Sequence, residues 1–127
     1  AYDRRFFPEA RDSFLAPWIT APERTALVAL KDGEIAGFGV IRAAVIGARI
    51  GPLYAASPEI AAALIGRLPA TMPGQIAVDI PDLNGPGKRL AAQLGLQPAF
   101  ETARMYTGAD PAIDRAGLFG VASFELG

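Results

Sequence analysis

With no histidine and no cysteine, this chain of 127 residues has few groups left with which to do chemistry. Their absence removes the commonest general base and the commonest metal ligand. Serine catalysis through a histidine, thiol nucleophiles, thiolate metal sites and disulfides go with them. Carboxylates, tyrosines, arginines and oriented backbone N–H groups remain, and the stretch Arg49–Glu59 concentrates them. It reads as a strand ending at Tyr54 or Ala55, a very short turn, and a helix opening at Ser57-Pro58. A strand that passes directly into a helix leaves free N–H groups at the helix start, where an anion can dock. Arg49, at the start of the strand, can meet a phosphate or a substrate carboxylate, or form an ordinary salt bridge. Asp79 alternates with Val78 and Ile80 in an apolar run, so burial would raise its pKa toward that of a general base. The alternative for Asp79 is to cap backbone N–H groups of the turn at Pro81–Asn84. Asn84 is most simply a helix N-cap, and Glu101, Arg104 and Glu125 are placed to form ion pairs on C-terminal strands.

The elements that must position these groups follow from composition and periodicity. Hydrophobic residues make up 51% and charged residues 20%, which is one domain with a real core. A net charge of −1 gives no long-range field for nucleic acid or an anionic membrane. No apolar run approaches the roughly 18–20 residues that span a bilayer. The chain does not begin with Met and carries no signal peptide, so the expectation is a fragment of a longer cytoplasmic protein.

Phe6-Phe7-Pro8-Glu9 suggests a helix start, with Phe7, Phe14, Leu15 and Trp18 on one face and Pro17 and Pro22 closing it. Strands are expected over Thr25–Leu30 and Ile35–Ile46, joined by a turn at Asp32-Gly33, and then over Arg49–Ala55. Ser57 as N-cap and Pro58 at N1 open a helix striped by Ile60, Ala61, Leu64, Ile65 and Leu68. A strand over Gln75–Ile80 after that helix implies a parallel crossover. A helix to Leu94 closed by Gly95, a strand near Pro98–Thr107 and a last strand near Leu118–Leu126 complete the order.

This order and two of its stretches resemble the GNAT superfamily of acyl-CoA-dependent N-acyltransferases. The passage 49–65 matches the place where that family binds the pyrophosphate of coenzyme A, and Asn84, Leu90 and Gly95-Leu96 match its later helix. Gly51-Pro52-Leu53-Tyr54-Ala55, Arg104-Met105-Tyr106 and the ending Phe119-Gly120-Val121 … Phe124-Glu125-Leu126-Gly127 are similar to the C-terminal GNAT-like domain of YitH-type acetyltransferases, which carry two such domains in tandem.

The resemblance implies an α+β domain over 1–127 with a mixed, mostly antiparallel sheet, one parallel β-α-β crossover and helices on both faces, lacking the family's first strand. It implies N-acetyl transfer from acetyl-CoA to a small-molecule amine, with an upstream GNAT domain as partner. On the matched positions, Leu53, Ala55, Ala56, Ser57 and Asn84 would contact the cofactor; Tyr54 would stand in as acid if it projects into the cleft and is otherwise a packed or hydrogen-bonded tyrosine, and Asp79, from its own surroundings, is the candidate base. Tyr106 is a second substitute acid and, with Arg49, a substrate contact. Three departures stand beside this. The turn Ala55-Ala56-Ser57-Pro58 has no glycine, and Pro58 has no N–H to give. Glu59 puts a negative charge where a phosphate would sit, and Ala91 replaces the family's acid tyrosine. The other reading is therefore a degenerate GNAT repeat that serves as a substrate-pocket, ligand-binding or dimerisation module, possible as a homodimer.

Overall fold

The computed structural model describes residues 2–126. A 3-10 turn (Tyr2–Arg5) and helix α1 (Asp12–Thr20) precede strands β1 (Arg24–Lys31), β2 (Glu34–Ala43) and β3 (Ala48–Ala55). Helix α2 (Pro58–Arg67), a 3-10 turn (Leu68–Thr71), strand β4 (Ile76–Val78), helix α3 (Gly85–Gln93) and strand β5 (Leu118–Gly120) complete the chain. It is the expected α+β arrangement: an open, mostly antiparallel sheet in the order β1-β2-β3-β4, with β5 also paired to β3.

Local chemistry explains most of the meander. Asp32 and Gly33 adopt φ of 53° and 80°, the left-handed conformations a tight hairpin turn needs. Gly47, at φ 66°, closes the next turn against the Gln75 backbone. The β2–β3 register shifts between Gly39 and Ile41, placing two β3 residues, Gly51 and Pro52, opposite Val40 alone. The bulge turns Leu53 and Ala55 into the face that already holds Ile50 and Ile41.

That face packs on α2 through Ala61, Leu64, Ile65 and Leu68, with Leu90 of α3 beside them. The glycines of β2 make this close approach possible: a Cβ at Gly37 would meet Ile60 Cγ2 at 2.6 Å. The opposite face carries Phe38, Tyr54 and the row Arg24, Arg42, Arg49, and it is covered by the N-terminal segment and Trp18 of α1. Helices thus lie on both faces, and β3 pairs β4 in parallel across the α2 crossover.

Three expected elements differ. Residues 6–11 are not helical; the Asp3 carbonyl accepts N–H from Phe6 and Phe7, and the Phe6 ring stacks on Tyr54 at 4.2 Å. This stacking outweighs the helix-start signal of Pro8, so α1 begins at Asp12 and contains Pro17. The segment 98–107 is irregular and exposed and pairs with no strand, and the edge of β3 beyond Ile50 is taken by β5 instead. The last strand is only Leu118–Gly120, since Val121 donates its N–H to Asp79 and the chain then leaves the sheet. Among the described residues no helix is long and apolar enough to cross a membrane.

Candidate functional site

The outer edge of β3 is shared. Its first half, Ala48–Ile50, pairs β4, and its second half pairs β5 through Leu53↔Gly120 and Tyr54↔Leu118. β3 and β4 therefore part beyond Ile50, and the backbone of residues 117–122 fills the gap. Gly51 sits at the fork, where a Cβ would lie 2.3 Å from the Val121 carbonyl oxygen. Asn84 holds the inserted segment. Buried to 1% exposure, it accepts N–H from Gly87 as cap of α3 and donates Nδ2 to the Leu118 carbonyl at 2.8 Å.

At the turn from β3 into α2, the N–H groups of Ala55 and Ala56 are already occupied. Ala55 N–H goes to the Gly117 carbonyl at 2.9 Å and Ala56 N–H to the Ala36 carbonyl at 2.8 Å. Ser57 Oγ accepts from Ile60 N–H at 3.4 Å, and its hydroxyl donates to Glu59. That bond, with one from the Glu59 N–H, holds the Glu59 carboxyl below its usual pKa. Leu53 is fully buried. The turn presents a carboxylate where a phosphate would need free donors.

Tyr54 is buried in a polar knot of its own. Its hydroxyl donates to Asp3 Oδ1 at 2.9 Å and accepts from Arg11 Nη2 at 2.7 Å. Arg11 also grips both Asp3 oxygens, at 2.8 and 2.9 Å, and lies over the Phe7 ring at 3.9 Å. Burial pushes the Tyr54 phenol above its ordinary pKa of 10.0; Arg11 opposes this and the Asp3 charge adds to it. The sign follows directly: the folded state keeps the proton longer than the unfolded chain. This contribution to stability is intact below pH 10 and is lost as pH rises from there toward the raised value. In an alkaline titration read by tyrosinate absorbance, Tyr54 is expected to ionise only together with unfolding. Tyr54→Phe should remove that late step; an unchanged profile would contradict the assignment.

Arg49 and Asp79 meet: both carboxylate oxygens accept from Arg49 Nη2, at 2.6 and 2.8 Å. This differs from the expected capping of the Pro81–Asn84 turn. Register makes the difference, since β3–β4 pairing sets Arg49 opposite Ala77, two residues from Asp79. The pair lines an open cleft of about 780 Å³ with Arg42, Glu23, Glu125 and Phe124. Tyr106 is half-exposed on the irregular segment and does not line that cleft. The structure thus brings together Arg49 and Asp79, and separates them from Tyr54, Ser57 and Tyr106. Arg24 and Arg42 were not singled out by sequence reasoning. The only signal for them is strand register, which sets Arg24↔Arg42 and Arg42↔Arg49 in one row.

The sequence matches the family described as "Acetyltransferase (GNAT) domain" over residues 1–120. It is also similar to the holothin acyltransferase of Pseudoalteromonas sp. (strain SANK 73390). The two are 27% identical over 128 residues, an alignment covering 99% of this chain and 44% of that protein. The chain thus spans less than half the length of this curated relative. No solved structure matches it significantly.

Proposed function

The chain belongs to the GNAT acetyltransferase family, and from that premise we propose that it works in acyl transfer from acetyl-CoA to an amine as the acceptor-side domain of a larger enzyme. One observation carries this reading: the N–H groups of Ala55 and Ala56 are both bonded to backbone carbonyls of the same chain. With Glu59 at the helix start and residues 117–122 between β3 and β4, the residues at this turn do not fit a coenzyme A pyrophosphate. A cleft of about 780 Å³ lined by Arg42, Arg49 and Asp79 offers charged groups to a ligand, and it is the place for an acceptor. The similarity to the C-terminal domain of YitH-type enzymes supports pairing with an upstream GNAT domain that binds the cofactor. The relative, an acyltransferase of which this chain spans 44%, agrees with a place in a larger enzyme.

Calorimetric titration of acetyl-CoA into this chain tests the proposal. The expected result is binding no tighter than about millimolar, the range left when no oriented donors receive the phosphates. Saturable micromolar binding would place the cofactor in this domain and overturn the reading.

A further inference from the structure

Three arginines stand in one row across three adjacent strands: Arg24 on β1, Arg42 on β2 and Arg49 on β3. Like charges directly opposite on a sheet repel, so such a row is costly wherever a cation is left unanswered. Two of them are answered. Arg49 is held by Asp79. Arg24 lies 4.2 Å over the Trp18 ring and donates to the Trp18 carbonyl. The middle one, Arg42, shares the same Trp18 ring more distantly, at 5.3 Å, and has no anionic partner. Among the described residues no carboxylate comes within ion-pair distance of Arg42, and its Nε is buried without a hydrogen-bond partner. Burial, and then the charges of Arg49 and Arg24, push the Arg42 pKa down; Asp79 and Glu125 pull the other way from beyond ion-pair distance without cancelling the effect.

Arg42 lines the 780 Å³ cleft, whose other walls set the remaining character of the ligand. Val45, Ile46 and Phe100 line it with side chains largely exposed, at 104%, 78% and 67%. Phe124 meets Phe100 edge-on at 5.5 Å. Glu23, Asp79 and Glu125 also line it, and they oppose a doubly charged phosphate more than a single carboxylate. The carboxylates of Glu23 and Glu125 suit an ammonium.

We propose that Arg42 receives the carboxylate of a small amphiphilic amine, an apolar amino-acid-like acceptor whose body lies between the β2–β3 turn and Phe100. This inference rests on the reading that the domain forms the acceptor side. An arginine fork that finds its carboxylate only in the ligand is disfavoured in the free protein and rewarded on binding.

The test is calorimetry on this chain with phenylalanine, phenylalaninamide and inorganic phosphate as probes, for the wild type and Arg42→Gln. Phenylalanine is expected to bind saturably at roughly millimolar or tighter, as a small ligand with one charged anchor does. The amide should bind at least about tenfold more weakly, and Arg42→Gln should lose about the same factor for phenylalanine, the scale of one charge-assisted contact. The melting temperature of Arg42→Gln should stay level or rise, because the variant removes a repelled and partly unsatisfied cation. Equal binding of acid and amide, no binding of either, or an Arg42→Gln variant that binds normally or melts well below wild type would each overturn the proposal. Phosphate binding that depends on Arg42 and displaces phenylalanine would reassign the site to a phosphate and overturn the carboxylate. Tight acetyl-CoA binding, measured separately, is what would sink the acceptor-side reading. The two failures are therefore distinguishable.

Discussion

Asp3→Ala is expected to lose about 3 kcal/mol of folding stability in denaturant titrations at neutral pH, the low end for breaking a buried ion pair from one side. Asp3 and Arg11 are 10% and 9% exposed at their side chains, and the Tyr54 hydroxyl is wedged between them. Without Asp3 the guanidinium stays buried with no counter-charge, and the phenol has no acceptor. The low end applies because Arg11 keeps the Tyr54 hydroxyl and the face of the Phe7 ring as partners. Tyr54→Phe leaves the ion pair in place and should cost only about 1 kcal/mol, the net worth of one hydrogen bond. A loss below about 1 kcal/mol for Asp3→Ala would show that the knot is surface decoration.

The second large effect is at Gly51. An added Cβ would meet the carbonyl oxygens of Val121 and Ala122 at 2.3 and 2.9 Å. Both are backbone atoms, so no side chain can turn aside. Gly51→Ala must push residues 121–122 out of the fork or bend β3, and it should cost about 3 kcal/mol, the upper range for overpacking. Gly66 supplies the matched control. It lies in α2 with nothing within 4 Å of an added Cβ, so Gly66→Ala should stabilise by about 0.5–1 kcal/mol. Opposite signs for two identical substitutions, measured by thermal or chemical unfolding, are the expected outcome. Gly51→Ala melting like the wild type would refute the close packing at the fork.

How much of this was legible in the sequence depended on how local each determinant is. The Asp32-Gly33 hairpin, the Ser57 cap and the Gly95 terminus were readable because each rests on neighbours a few residues apart, and the α2 crossover because a strand-helix-strand order leaves few other pairings. The start of α1 was not. Pro8 signals a helix, but Phe6 is claimed by Tyr54, 48 positions on in the chain, and tertiary stacking wins. The strand expected at 98–107 also failed: its apolar residues fit a strand, but the half-edge of β3 is filled by β5 from residues 118–120. Arg49 and Asp79 were singled out separately, but their meeting needed the β3–β4 register. Arg42 was invisible, since a lone arginine in a strand says nothing until the β1–β2 and β2–β3 registers fix which residues stand opposite.

The fork in β3 has a consequence for how the domain is made. β5 is the last strand to be synthesised, yet it pairs with β3, the strand at the centre of the sheet, across a gap of more than 60 residues. Until residues 117–122 arrive, a growing chain can form the β1–β2–β3 meander from local contacts. Half of the β3 edge then stays open, its N–H and C=O groups unpaired. Long-range closure of this kind is slow relative to hairpin formation, because the loop entropy is lost before the contacts return it. During that interval the open half-edge is the region most able to pair with another chain.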